Sequence, residues 1–198
     1  MERAIEYLRA DLGVILGLWP ESELEGNLVP TLGPSAEYDG WVSDFADRVS
    51  PAIFDQYLQI PVGCRPKPLT SSFVSANLNP GWFIDSFGSV ERALKNGFGV
   101  PLLQGDALLG QAFAGPSLRG LIEVGTETTE GHCGLGYATV TCAHLIQECE
   151  ARGYRTYWNC NHQNLPSMAL ARKLGYRSER PYRALTSIVA TRAVLQKS

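Results

Sequence analysis

The stretch from Glu123 to Tyr176, EVGTETTEGHCGLGYATVTCAHLIQECEARGYRTYWNCNHQNLPSMALARKLGY, passes through strand-like, glycine-rich and helix-like segments in an order that leaves few ways to fold. Gly131, Gly134 and Gly136 allow a tight turn whose N–H groups can approach a ligand closely. Beyond it, Ala138, Cys142, Leu145 and Cys149 recur at helical spacing, so Tyr137 to Arg152 reads as a helix with one buried face. Gln147, Glu148 and Arg152 fall on its wet side, and Gly153 ends it. Thr156-Tyr157-Trp158 are strand formers and Asn161 to Pro166 is a loop, which completes a strand–helix–strand unit with a parallel, right-handed crossover. The turn sets unpaired amides and the positive end of a helix dipole where phosphate would bind.

A dinucleotide fingerprint would use a similar turn, Gly134-Leu135-Gly136-Tyr137-Ala138-Thr139. It also requires an acidic residue about 20 residues on, where this chain has Tyr154, Arg155 and Thr156.

Upstream, Val90 to Lys95 after Ser89 reads as a short helix. Phe98 to Leu103 and Leu108 to Ala114 form a hairpin about Gln104-Gly105-Asp106, and Leu121 to Thr128 is the next strand. Thr186 to Leu195 is expected as a last edge strand. In the first 88 residues, Glu2 to Leu18 has helical periodicity, Trp41 to Tyr57 reads as a second amphipathic helix broken at Pro51, and a strand is expected near Ser71 to Ala76. The fold class is α/β (α+β), a mixed central sheet flanked by helices. Residues 1–88 are a mainly helical, acceptor-side region of the same domain, and 89–198 are the ligand-binding core.

With these residues in view, the segment resembles the GNAT superfamily of acetyl-CoA-dependent N-acetyltransferases, over about Ser89 to Leu185. The nearest pattern is the subgroup with a Glu-aliphatic-Gly strand, a Trp-x-Cys strand and an Asn-x-x-Ser helix start. The family's turn, Arg/Gln-x-x-Gly-x-Gly/Ala, falls on Cys133, Gly136 and Ala138. Cys133 stands at the Arg/Gln position and Leu135 where a basic residue is common, so the backbone amides must do more of the phosphate binding. Asn164, Ser167 and Leu174-Gly175-Tyr176 match the second signature. The resemblance implies acetyl-CoA held by Cys133, Gly134, Leu135, Gly136, Tyr137, Ala138, Asn164 and Ser167, with the main chain at Thr126 and Thr128 pairing with its pantetheine arm. Leu174 and Tyr176 are expected in the core, and Gly175 as a left-handed helix cap.

The implied chemistry is direct attack of an amine on the thioester. It needs a proton acceptor, donors for the oxyanion and a means of stabilising the leaving thiolate. Glu123 and Glu127 share a strand face at spacing four. Glu123, among Leu121, Ile122 and Val124, is the better base, because desolvation raises a carboxyl's pKa toward working pH. Many relatives place a tyrosine acid where this chain has Ala171; Ser167, Tyr157 or water are the substitutes, and a thiolate needs little help.

Composition narrows the partners. A net charge of −3, with no basic stripe, argues against nucleic acid. Five cysteines without a Cys-x-x-Cys pair argue for free thiols in a reducing compartment and against a disulfide framework or structural zinc. His132, His144 and His162 have no metal-ligand spacing with them. No signal-peptide core or membrane-length apolar run appears, which leads to the expectation of a cytoplasmic monomer or homodimer. The acceptor is expected to be a primary amine on a small molecule. The alternatives are an acyl-CoA-binding or interaction module without turnover, and acetylation of a protein N-terminus or lysine, which would need an open acidic groove.

Overall fold

A computed structural model of the chain describes residues 35–45, 51–67, 69, 81–87, 89–117 and 120–187. The strands are β1 (Ser35–Phe45), β2 (Cys64–Pro66), β3 (Phe98–Gln104), β4 (Ala107–Ala114), β5 (Leu121–Thr128), β6 (Arg155–Asn161) and β7 (Tyr176–Ser187). The helices are α1 (Pro51–Tyr57), α2 (Gly81–Phe87), α3 (Val90–Asn96), α4 (Tyr137–Ala151) and α5 (Leu165–Leu174). One mixed sheet runs β2-β3-β4-β5-β6-β1-β7; β5 and β6 pair in parallel, and the remaining pairs are antiparallel.

The expected hairpin forms β3 and β4, closed by Gln104 opposite Ala107. The expected crossover is β5-α4-β6. Two expectations are corrected. Trp41 to Phe45 is not the start of an amphipathic helix: it lies in β1, which inserts between β6 and β7. Its neighbours on both sides supply backbone partners that outweigh a weak local periodicity. The last strand among the described residues begins at Tyr176, ten residues before Thr186, because pairing with β1 runs from Tyr176 opposite Phe45 to Ser187 opposite Ser35; residues 188–195 of the expected strand lie outside the described residues. Pro181 is tolerated there because β7 is an edge. The expected helix at Glu2 to Leu18 and strand at Ser71 to Ala76 lie outside the described residues.

The main core lies between the sheet and α4. Cys142, Ala143, Leu145, Ile146 and Cys149 are fully buried against Ile122 and Val124 of β5 and Ala112 and Ala114 of β4. Each fully buried Leu or Ile stabilises the fold by about 1.5–3 kcal/mol relative to exposure. Trp158, Ala171, Leu174 and Tyr176 extend this core under α5. Alternation along β4 sends Phe113 the other way, onto Phe83 of α2 and Ala93 of α3, with the Phe83 and Phe113 rings stacked at 4.9 Å. This second cluster forms a wall on the sheet face opposite α4.

The helix ends follow local chemistry. Ser89 caps α3 by accepting from the Arg92 amide at 3.2 Å. Gly175 closes α5 with φ 111°, the left-handed conformation that glycine adopts without strain. Leu174 and Tyr176 on either side are fully buried, as expected.

Candidate active site

β5 and β6 pair only over Leu121–Glu123 against Arg155–Tyr157. Past that point they part, while β5 stays in register with β4 from Val124 to Thr128. The opening between them is a cleft of about 370 Å³ lined by Glu123 and Glu127 of β5, Trp158, Asn159 and Cys160 of β6, Asn164 and Ser167 at the start of α5, and Phe83 and Phe113. The two strands therefore splay, which leaves the main chain of Val124 to Thr128 along the edge of the opening.

Glu123 sits at the last paired rung, half-buried. Tyr157 Oη donates to its Oε2 at 3.1 Å, and Asn159 Nδ2 donates to Oε1 at 3.2 Å. Burial raises its pKa above the ordinary carboxyl value, and the two donors pull it partly back. Tyr157, read from the sequence as a substitute acid, spends its proton on Glu123. Glu127 is on the same face of the regular strand but exposed, and Gln111 Nε2 donates to it at 3.0 Å. Gln111 is itself 2% exposed, and its Oε1 has no partner. The Tyr157, Asn159 and Gln111 contacts were not foreseen; strand alternation about Glu123 and Glu127 would have signalled that such partners face them, but not which ones.

The glycine turn connects the open end of β5 to α4. Cys133, Gly134, Leu135 and Gly136 are exposed, Leu135 at 62%, while Tyr137 and Ala138 are half-buried. Gly136 is the N-cap, at φ 88°, and no side chain caps the helix, so the first-turn amides have no side-chain acceptor. A Cβ at Gly131, Gly134 or Gly136 would meet no atom within 4 Å, so open space adjoins the turn. Uncapped amides, a helix dipole and free volume at the end of a splayed strand fit the pyrophosphate and arm of acetyl-CoA. The Thr126 hydroxyl is engaged elsewhere, donating to Gln111 O at 2.9 Å.

At the opposite wall, Asn164 Oδ1 accepts from the Ser167 amide at 3.1 Å and caps α5. Trp158 Nε1 donates to Ser167 Oγ at 3.0 Å. Ala171 is fully buried in the main core, so that position packs and does not reach the cleft. Among the described residues no group of His, Cys, Asp and Glu could hold a metal ion. His144 is hydrogen-bonded to Leu58 O at 2.9 Å, His162 is exposed, and His132 stands in the turn with its Nδ1 buried and unpartnered. A larger hollow of about 820 Å³, at the far end of α4 from the turn, is bordered by His144, Glu148 and Arg152. These groups are already engaged, Arg152 with both Glu148 and the Phe98 ring. No described helix is long and apolar enough to cross a membrane.

A mixed sheet split beside a glycine turn at a helix start is the arrangement of the GNAT acetyltransferase fold. The family model for GNAT acetyltransferase matches residues 55–185, and the chain belongs to that family. It is similar to the uncharacterized N-acetyltransferase YdfB of Bacillus subtilis (strain 168), 28% identical over 134 residues. That match takes in 67% of this chain and 51% of YdfB, so the chain spans about half the length of this relative. In fold it is similar to a GCN5-related N-acetyltransferase-like protein from Streptococcus suis, with TM-score 0.65 and 24% identity over 83% of this chain and 66% of that one. It is also similar to a putative acetyltransferase of the GNAT family from Novosphingobium aromaticivorans, with TM-score 0.55 and 17% identity over 76% of this chain and 64% of that one.

Proposed function

We propose that this protein is an N-acetyltransferase that moves the acetyl group of acetyl-CoA onto a primary amine of a small molecule by direct attack. The observation that carries the reading is the position of Glu123: a carboxyl with a raised pKa at the rung where β5 and β6 part. A carboxylate there can take the proton of an amine entering the cleft, because its raised pKa lies nearer working pH. When bound, acetyl-CoA supplies the activated acyl group. The turn at Cys133, Gly134, Leu135 and Gly136 and the amides of Tyr137 and Ala138 would hold its phosphates. The Val124 to Thr128 main chain would align its arm, and Asn164 and Ser167 would border its sulfur. Glu127, at the mouth, is suited to an acceptor carrying positive charge. Phe83 and Phe113, stacked on each other, give the cleft of about 370 Å³ an apolar border suited to a small acceptor.

A second reading, an acyl-CoA-binding module without turnover, is favoured by one observation: Cys133 and Leu135 are both exposed in the turn and bring no strong donor to it. Calorimetric titration with acetyl-CoA and CoA, together with thiol release over a panel of amines, separates the two. Micromolar binding, about −8 kcal/mol, with thiol release supports the enzyme. Binding without release for any amine supports the module, and no binding sinks both.

A further inference from the structure

We infer that Trp158 is a positioning residue for thiolate departure, acting through Ser167: its indole N–H occupies the acceptor side of the Ser167 hydroxyl and turns the hydroxyl proton into the cleft. This rests on the transferase reading above.

Trp158 is 1% exposed, and its one polar atom donates to Ser167 Oγ at 3.0 Å. An indole N–H can only donate, so Ser167 must accept there and keeps its own proton for another partner. The Ser167 amide is tied to Asn164 Oδ1 at 3.1 Å, which sets the start of α5 and the place of the hydroxyl. Cys160 lines the same cleft as Ser167; burial raises its thiol above the ordinary value, and the Ser167 hydroxyl draws it partly back. Trp158 and Ser167 thus line the same opening as Glu123, from the α5 side of β6.

The electron count defines what the relay does. The amine nitrogen forms a bond to the acyl carbon, the carbon–sulfur bond breaks with its electron pair on sulfur, and the nitrogen's proton passes to Glu123. Serine is far too weak an acid to surrender its proton to a thiolate whose pKa is in the range of about 8–9. Ser167 therefore donates a hydrogen bond to the departing sulfur and keeps its proton; the thiolate is protonated by solvent. The stabilisation thus comes from the first turn of α5, since the Ala171 position is packed in the core. Trp158 keeps the hydroxyl from turning its lone pair toward sulfur, where it would repel the growing charge.

The test is a double-mutant cycle on turnover with acetyl-CoA and an amine that the wild-type protein accepts. Ser167→Ala is expected to lower kcat by about 10- to 100-fold, the size of one hydrogen bond to a charged group, with KM for acetyl-CoA within about twofold. Ser167→Thr, which keeps a hydroxyl, should restore most of the rate. Trp158→Phe should lower kcat by about 3- to 10-fold in the wild-type background and by nothing further in Ser167→Ala, because both changes remove one interaction. Equal penalties in the two backgrounds, or unchanged kcat for Ser167→Ala, overturn the inference. Should Trp158→Phe fail to fold, the 15N-labelled protein decides: CoA binding should move the Trp158 indole N–H resonance in wild type and not in Ser167→Ala. A resonance unmoved by bound CoA overturns the inference. Failure of the transferase reading is distinct, since it appears as wild-type protein without turnover.

Discussion

Glu123 and Tyr157 face each other across the last paired rung of β5 and β6, and the phenol of Tyr157 donates to the Glu123 carboxyl at 3.1 Å. The same rung ends the parallel ladder and begins the cleft. The carboxyl is therefore both held in place and set at the point where a substrate can reach it.

If Glu123 is the base, Glu123→Gln lowers kcat by about 10²- to 10⁴-fold with little change in acetyl-CoA affinity. The native rate should rise with pH as Glu123 loses its proton, and this limb should vanish in the variant. Steady-state pH profiles check it, and an unchanged limb removes Glu123 from that role.

The same group makes stability depend on pH. Its folded pKa is raised above the ordinary 4.5, so the folded state holds the proton to higher pH than the unfolded chain. Its contribution is fully present below about 4.5 and is lost as pH rises through the folded value. Denaturation midpoints of Glu123→Gln relative to wild type should therefore improve from about pH 4 to about pH 9. A difference independent of pH would contradict the burial effect.

Asn164→Ala removes the cap on α5 and should cost about 1 kcal/mol, or about 2–4 °C in Tm for a chain of this size. Asn164→Asp keeps the acceptor and should recover most of it. Should acetyl-CoA affinity fall for both variants while only Ala loses stability, Asn164 has a second role in binding that its amide group supplies.

Gly136→Ala should cost about 1–2 kcal/mol, because the N-cap sits at φ 88° and a Cβ there meets strain rather than a clash. Gly136→Trp should in addition abolish acetyl-CoA binding by filling the open space beside the turn. Calorimetry on the folded variants distinguishes these effects, and full affinity in Gly136→Trp would move the phosphate site elsewhere.

Cys133 is exposed in the turn, whereas Cys142 and Cys149 are fully buried with thiols pushed up to about 12. A thiol-specific alkylating reagent followed by mass spectrometry should label Cys133 and leave Cys142 and Cys149 intact in the folded protein. Saturating acetyl-CoA should slow labelling of Cys133 in proportion to the bound fraction. Labelling at an unchanged rate would show that bound cofactor does not cover the turn.

Much of this was legible because it rests on short-range rules. Glycines at 131, 134 and 136 before a helical pattern define the turn, the spacing of Cys142, Leu145 and Cys149 defines the buried face of α4, and Asn164 with Ser167 and Gly175 marks the two ends of α5, although Leu165 and Pro166, read as loop, form its first turn. Strand alternation likewise placed Glu123 and Glu127 on one face. Backbone conformation and side-chain period are encoded within a few residues, so they can be read without knowing the neighbours.

What the tertiary structure decided depends on residues far apart in the chain. Glu123 meets Tyr157 and Asn159, 34 and 36 residues further along the chain, only because the crossover through α4 returns β6 beside β5. Trp158 reaches Ser167 because β6 and α5 pack together, and β1 becomes a strand because β6 and β7 leave a gap between them. Each of these partners was visible as a residue type, but partner choice is set by sheet order and register, and those follow from the packing of the whole core against α4 and α5 rather than from any local pattern.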